Sequence, residues 1–135
     1  MRSHLHEEEA RQRAIRMMDD IYSEPKELLI KKVKDAIISV VKCRRLYLFG
    51  SYVWGKFTDE SDLDFFIVLF NQEKESFEAL KYKIIDELAE RDIWFPVDFI
   101  MELETEFSLK AKSSMPTLEK KVFSEGIILF ENPQT

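Results

Sequence analysis

The residues of this 135-residue chain whose types and spacing could do chemistry are three aspartates in two apolar runs. Asp62 and Asp64 flank Leu63 at the head of the run 65–69, and Asp98 lies inside the run 97–100. Side chains two apart on a strand share a face, so Asp62 and Asp64 are expected to point the same way. Carboxylates that lie side by side repel one another and resist ionising together unless a cation neutralises them.

The cation that suits these carboxylates is Mg²⁺, which prefers oxygen ligands and is usually bound by one or two carboxylates together with substrate phosphates. A third carboxylate on a neighbouring strand allows a second ion at about 3.5–4 Å from the first, the geometry of two-metal phosphoryl chemistry. The pattern therefore predicts that Asp62, Asp64 and Asp98 are catalytic residues that hold two Mg²⁺ ions.

The segment before these acids is typical of a phosphate-binding turn. Gly50 ends the apolar run 46–49, and a residue without Cβ lets the backbone approach a ligand closely. Ser51 supplies a hydroxyl and an N–H where a short helix could begin, and such a helix start attracts phosphate. Chance would match the six fixed residues of the pattern at roughly one position in ten million. They are Gly50, Ser51, Gly55, Ser61, Asp62 and Asp64.

The Gly-Ser turn, the downstream Ser-Asp-x-Asp and the later acid in an apolar strand resemble the DNA polymerase β superfamily of nucleotidyltransferases. More narrowly, residues 46–130 resemble the minimal nucleotidyltransferases, the MNT half of HEPN/MNT toxin–antitoxin pairs, including a family-like ending at 122–130. The resemblance implies that Gly50 and Ser51 contact the nucleotide phosphates. It implies metal binding by Asp62, Asp64 and Asp98.

The chain departs from this family directly after the Gly-Ser pair. Many members carry a basic residue there, whereas Tyr52, Val53 and Trp54 fill the turn. The two aromatic residues could stack on a nucleobase, but packing against the core is the more common use of large aromatic side chains. A cation for the phosphates is therefore expected elsewhere. The candidates are Lys56, Arg44 and Arg45, and Ser61 joins Lys56 among the predicted nucleotide-binding residues.

Size and composition favour one domain. A chain of 135 residues with 45% hydrophobic content can bury a sizeable core. No run approaches about 18 uncharged apolar residues, and residues 1–7 contain no apolar signal region, so we expect a cytoplasmic protein without a membrane span. The single cysteine, Cys43, excludes an internal disulfide and is expected to be buried.

The formal net charge of −6 argues against a general nucleic-acid binder, which usually has a basic patch, but it leaves a specific RNA acceptor open. One lysine-rich stretch could steer ATP or an acidic partner, although a solvated face is the more common explanation of such a stretch. It contains Lys110, Lys112, Lys120 and Lys121.

Apolar periodicity predicts an α/β (α+β) domain, with a small mixed sheet of about four strands and helices on one face. Residues 1–22 are expected to form an N-terminal helical extension, and residues 23–135 the nucleotidyltransferase domain. Helices are predicted from residue 25 to about 43, over 77–91 and over 116–125, with Gly126 as a C′ residue. Strands are predicted over 46–50, 63–70, 94–101 and 127–130, and residues 102–114 are ambiguous.

The predicted reaction is Mg²⁺-dependent transfer of AMP from ATP to a hydroxyl acceptor. One domain leaves no room for an acceptor-binding domain, so the acceptor is expected on another chain, and a homo-oligomer is also open. The resemblance implies a tyrosine of a HEPN-type partner toxin, with this chain as antitoxin. The alternatives are transfer to RNA or tRNA, transfer to a small aminoglycoside-like compound, and a non-catalytic antitoxin that binds its partner stoichiometrically.

Overall fold

The structure, a computed structural model, describes residues 8–12, 24–58 and 60–133. Residues 8–12 are helical, and the rest of the predicted N-terminal helical extension lies outside the described residues. The predicted domain boundary between residues 22 and 23 also lies outside them. None of the helices in the described part of the chain is long and apolar enough to cross a membrane.

The main body of the fold alternates short helices and strands from residue 26 to residue 131. In chain order its elements are α1 (Lys26–Val40), β1 (Cys43–Phe49), α2 (Ser51–Trp54), β2 (Leu63–Leu69), α3 (Phe77–Glu90), β3 (Val97–Leu103), α4 (Glu104–Ala111), α5 (Leu118–Glu125) and β4 (Ile127–Glu131). Ser76 and Thr117 cap α3 and α5 by accepting hydrogen bonds from the N–H groups of Ala79 and Lys120. The predicted elements are present with shifted ends, and the ambiguous segment 102–114 contains the end of β3 and all of α4.

The four strands form one mixed sheet in the order β3-β2-β1-β4. β1 is antiparallel to both β2 and β4, whereas β2 and β3 are parallel and are connected through α3. The end of β1, the starts of β2 and β3, and the start of β4 therefore lie at one end of the sheet. The predicted mixed sheet of about four strands is confirmed.

Helices cover both faces of the sheet, so the prediction of helices on one face is wrong. Leu46 and Leu48 of β1 face the cluster that includes buried residues of α1 and α3. Tyr47 and Phe49 face a second cluster, which includes the buried residues Phe107 of α4 and Val122 of α5. α4 was not predicted because it lies in the ambiguous segment 102–114. It has a single fully buried apolar residue, so its sequence shows almost no helical periodicity.

Two smaller predictions have different outcomes. Cys43 is buried as expected, and burial raises the pKa of its thiol to about 11. Gly126 directly follows α5 but has an extended backbone with φ −69°, so it does not adopt the left-handed conformation that is common for a glycine at a helix end. Its lack of a side chain serves a close approach, because a Cβ there would lie 2.5 Å from the carbonyl oxygen of Val122.

An acid–lysine–acid cluster joins β3 to α4 and α5. Lys110 Nζ lies 2.7 Å from Glu102 Oε2 and 3.6 Å from Glu119 Oε2, and both acidic side chains are only 12% exposed. Burial first, and then the neighbouring Glu119, raise the pKa of Glu102 to about 7 despite the opposing effect of Lys110. Burial also raises the pKa of Glu119. Hydrogen bonds with the Glu102 carboxyl and with Lys110 outweigh this effect, so the pKa of Glu119 lies below its usual value.

These pKa values predict how stability depends on pH. Glu102 binds its proton more tightly in the folded protein, so its contribution is complete below about pH 4.5 and is lost as the pH rises through about 7. The lowered pKa of Glu119 makes a contribution to stability of the opposite sign, which is lost as the pH falls below about 4.5. We expect Glu102→Gln to remove the decline between about pH 5 and pH 8 and to raise the free energy of unfolding at pH 8 by on the order of 1 kcal/mol.

Denaturant melts of the wild type and the variant at a series of pH values measure this difference. Glu90→Gln removes one exposed acidic charge from α3 and serves as the control. Parallel stability curves for the wild type and Glu102→Gln over this range would contradict the account of the cluster.

Candidate active site

The end of the sheet where β1 stops brings the Gly-Ser turn and the acidic residues together. Phe49, the last residue of β1, lies opposite Asp64 of β2. Gly50 follows immediately, with φ +84° and ψ −155°, a conformation that is essentially restricted to glycine. The chain then turns directly into the single helical turn of α2. The turn and β2 are thus held together by the β1–β2 ladder.

Gly50 is in contact with the Asp64 carboxylate. A Cβ at Gly50 would overlap Asp64 Oδ2 and would lie 2.9 Å from the Asp64 carboxyl carbon. The acid therefore occupies the space that any other residue at position 50 would fill with its side chain. The sequence assigned Gly50 to ligand approach, and the structure adds that Gly50 also makes room for a predicted metal ligand.

The two strand carboxylates lie directly opposite each other. Asp64 of β2 pairs with Asp98 of β3 in a parallel ladder, whose strands are roughly 4.8 Å apart. Both residues alternate with side chains that face the α1 and α3 cluster, so they lie on the opposite face, which α4 and α5 cover. Asp62 is two residues before Asp64, just ahead of the strand. Asp64 is half-buried, whereas Asp62 and Asp98 are exposed.

The acids also interact electrostatically. Burial is the largest cause that raises the pKa of Asp64, and the charges of Asp98 and then Asp62 raise it further. Asp98 Oδ1 accepts a hydrogen bond of 3.0 Å from the Phe99 N–H, which restricts the orientation of this carboxylate. The charges of Asp98 and Asp62 are therefore close enough to disfavour the ionisation of Asp64.

The donor chemistry of this acidic set fits Mg²⁺, but the described residues do not form a finished metal cage. No three histidine, cysteine, aspartate or glutamate side chains among residues 8–12, 24–58 and 60–133 are arranged as a ready metal-binding group. Mg²⁺ commonly uses one or two carboxylates and takes its other ligands from water and substrate phosphates. Asp62, Asp64 and Asp98 could hold the ion in this incomplete way.

The aromatic residues of α2 pack on both sides of the sheet. Tyr52 contacts Phe57 edge-on at 5.4 Å beside the α1 and α3 cluster, and Trp54 packs at 6.1 Å from Phe49 on the other face. Burial, followed by the carboxylate of Glu27, raises the pKa of Tyr52. These contacts match the packing interpretation of the two residues.

The loop between α2 and β2 contains Lys56 and Ser61. The Ser61 hydroxyl accepts a 3.0 Å hydrogen bond from the Thr58 N–H, and the Ser61 N–H donates to the Thr58 carbonyl at 3.0 Å. Ser61 thus fixes the turn that leads directly into Asp62. Lys56 is exposed after Gly55, and its Nζ has no ion pair with a described residue.

Two of the three candidate cations for the phosphates lie at the end of the sheet opposite the Gly-Ser turn. Arg44 and Arg45 are at the start of β1, roughly 13 Å or more along the strand from Phe49. Both guanidinium groups pair with Glu104, at 3.4 and 3.6 Å, and Arg44 also approaches Glu131. They connect the far end of the sheet to α4 and β4, so Arg44 and Arg45 do not lie beside the Gly-Ser turn and Lys56 is left of the three candidates.

Lys121, an exposed residue of the lysine-rich stretch, lies beside the turn. Lys121 of α5 places its Nζ 4.0 Å from the centroid of the Trp54 ring, a cation–π contact. No local signal could have revealed this contact, because the two residues are far apart in the chain.

A sizeable cavity lies away from these groups. It measures about 620 Å³ and is lined by residues that include Val40, Lys42 and Phe70, beyond the end of β2. It lies at the end of the sheet opposite the acids. We therefore place the candidate site by its chemical groups, since polar phosphate-binding turns need not form deep cavities.

Comparison with protein families agrees with this geometry. Residues 31–135 match the family model described as "Polymerase beta, Nucleotidyltransferase". The chain belongs to this nucleotidyltransferase family. The resemblance that was drawn from the Gly-Ser turn and the aspartates is confirmed at this level, whereas the pairing with a HEPN toxin stays a prediction.

A solved structure supports the fold of this nucleotidyltransferase. A crystal structure of a candidate nucleotidyltransferase from Sulfolobus solfataricus matches with a TM-score of 0.50 and 20% sequence identity. The match covers 87% of this chain and 86% of the other. Comparison with curated proteins found no match.

The contact between Gly50 and Asp64 generates a prediction about stability. Gly50→Ala forces a Cβ onto the carboxylate in a glycine-only conformation, and we expect a loss of about 2–4 kcal/mol in the free energy of unfolding. Gly55→Ala is the matched control, because Gly55 also has φ +84° but a Cβ there would meet no atom within 4 Å. Its expected loss is about 1 kcal/mol.

The double variant Gly50→Ala with Asp64→Ala separates steric overlap from backbone strain. If the overlap matters, Asp64→Ala should recover part of the loss, so the two substitutions should be clearly non-additive in denaturant melts. Additive effects would show that Asp64 does not require glycine at position 50.

Proposed function

We propose that this nucleotidyltransferase transfers AMP from ATP to a hydroxyl of a partner protein in the cytoplasm. The acceptor we propose is a tyrosine of a HEPN-type toxin, which this chain would neutralise as an antitoxin. The observation that carries the proposal is the register of Asp64 opposite Asp98, next to the Gly50 turn. This arrangement supplies a phosphate-approach point and opposed carboxylates at one end of a sheet.

The proposed step forms a bond between the acceptor oxygen and the α-phosphorus while the bond from that phosphorus to the pyrophosphate oxygen breaks. The acceptor proton passes to solvent, and the negative charge of Asp98 favours its loss. When bound, two Mg²⁺ ions would neutralise charge on the phosphates and on the attacking and leaving oxygens. The backbone at Gly50 and the Ser51 hydroxyl would hold the β- and γ-phosphates, so catalysis would rest on positioning and charge.

Access to the site supports a macromolecular acceptor. β3 is an edge strand and Asp98 on it is exposed, so an acceptor hydroxyl can approach from the open side. Phe123 of α5 and Ile128 of β4 lie on the same face as Asp98 and expose 56% and 49% of their surface. Exposed apolar side chains on one face of a protein are a feature of protein–protein contact surfaces.

The first functional prediction concerns binding. Mg²⁺ with ATP at about 100 times its Kd should stabilise the wild type by about 2.7 kcal/mol, seen as a rise in Tm. Asp62→Asn with Asp64→Asn should lose most of this rise. Without ligand, the double variant should be at least as stable as the wild type, because it removes the buried charge and the repulsion that together raise the pKa of Asp64.

Asp86→Asn with Asp92→Asn is the matched control, since it removes two exposed acids near the end of α3. This control should keep the full rise in Tm. An undiminished rise in the Asp62 and Asp64 double variant would place the nucleotide elsewhere.

The second functional prediction separates transfer from binding. Asp98→Asn should bind Mg²⁺ and ATP nearly as well as the wild type, because Asp62 and Asp64 would still hold the nucleotide metal. Transfer should fall on the order of 10²-fold or more, comparable with the loss of one preorganised electrostatic group. The measurement is mass spectrometry of a co-expressed HEPN-type partner, in which the wild type should add the mass of AMP.

The same experiment distinguishes the alternatives. A partner that is neutralised by the wild type without any gain in mass would support stoichiometric binding and overturn the AMP-transfer proposal. Labelled ATP incubated with total RNA or with an aminoglycoside tests the other acceptors, and label incorporated there rather than in the partner would reassign the acceptor.

A further inference from the structure

The neighbourhood of α2 offers few cations for a triphosphate. Lys56 is the single basic residue in the segment 50–58, and Arg44 and Arg45 are paired at the far end of the sheet. A nucleoside triphosphate carries several negative charges, and the nearby residues Asp62, Asp64 and Asp98 add three more. An additional protein cation beside the turn would therefore improve binding by direct charge-assisted hydrogen bonds.

Lys121 lies where it could supply this additional cation, beside the Gly-Ser turn. α5 runs toward the site end of the sheet, because Gly126 follows it and Ile127 pairs with Leu48. Lys121 is about one turn before that end, and its Nζ lies over the ring of Trp54, the last residue of the helical turn that begins at Ser51. A residue from the C-terminal part of the chain thus brings a positive charge to the Gly-Ser turn.

The partners of the neighbouring lysines differ from those of Lys121. Lys110 is held between Glu102 and Glu119, and Lys120 Nζ donates a 2.9 Å hydrogen bond to the Ser113 carbonyl. Lys121 is exposed and has no carboxylate within ion-pair distance among the described residues. Its ammonium group therefore keeps N–H donors available for an anion.

Trp54 adds a second, independent observation. Its indole N–H is buried and has no hydrogen-bond partner in the described part of the chain. The ring itself is packed near Phe49, which holds in place the surface over which the Lys121 ammonium group lies. An ammonium group over an indole face is attracted by the negative face of the ring, and this holds the charge in position before a ligand arrives.

We propose that Lys121, positioned by the ring of Trp54, binds the β- and γ-phosphates of the nucleoside triphosphate and the pyrophosphate that leaves. This inference rests on the proposed nucleotidyl transfer and adds a phosphate-binding residue to it. The charge would favour triphosphates and pyrophosphate over nucleoside monophosphates. Trp54 acts as the positioning residue for Lys121, rather than as a stacking surface for the base.

Calorimetric titration of the full chain with Mg²⁺–ATP, Mg²⁺–pyrophosphate and AMP tests this proposal. Lys121→Met keeps the apolar stem and removes the charge, and we expect its affinity for ATP and pyrophosphate to fall about tenfold or more while its affinity for AMP stays unchanged. Lys121→Arg should keep the wild-type affinity within about twofold, because a guanidinium group stacks on indole and binds phosphate. Lys120→Met, one position away on α5, should behave as the wild type.

Tryptophan fluorescence gives a second readout. Trp94→Phe leaves Trp54 as the single tryptophan, because the chain contains two. In that background, Mg²⁺–pyrophosphate should change the Trp54 emission as the ammonium moves toward the phosphates, and Lys121→Met should abolish this change.

Each outcome has a distinct meaning. Equal ATP affinities for the wild type and Lys121→Met would overturn the role of Lys121 and leave the proposed transfer intact. An equal loss of affinity for AMP would also overturn it, because it would indicate a general disturbance of the site. A wild type that binds neither ATP nor pyrophosphate would overturn this inference together with the proposed function. A wild type that binds ATP in a Lys121-dependent manner but modifies no partner would support the role of Lys121 and overturn the proposed transfer to that partner.

Discussion

The close contact between Gly50 and the Asp64 carboxylate is the constraint on which the site depends. The ladder between β1 and β2 places Phe49 opposite Asp64, so the next residue of the chain must pass directly over the acid. Only a residue without a side chain can do so, particularly at φ +84° and ψ −155°. The phosphate-approach turn and the acidic strand are thereby set at a fixed distance by backbone geometry.

The parallel pairing of β2 with β3 has an equally direct consequence. The observed register places Asp98 beside Asp64 on the same face of the sheet. A shift of this register by one residue would move every side chain of β3 to the other face, and Asp98 with them. Phe99 and its alternate neighbours pack on the α1 and α3 cluster and pin this register. The hydrophobic core on one face thus aligns the carboxylates on the other, where burial and mutual repulsion raise the pKa of Asp64.

The second face of the sheet joins stability to the site. α4 and α5 cover it through Phe107 and Val122, and the Glu102–Lys110–Glu119 cluster ties both helices to β3. The same packing carries Lys121 to Trp54. α5 therefore completes the core on this face and also places a positive charge beside the turn. Changes in the packing of α5 would affect both the stability of the protein and the position of Lys121.

The sequence by itself determined the family, the order of the strands along the chain and most of the helices, and it singled out the acids as candidate site residues, because these depend on local spacing and periodicity. Two-residue spacing predicts that Asp62 and Asp64 share a face, and apolar runs identified all four strands. Tertiary structure alone decided that helices cover both faces, that Arg44 and Arg45 belong to the far end, and that Lys121 reaches Trp54. These features depend on contacts between residues distant in the chain, and such contacts leave no mark on local periodicity.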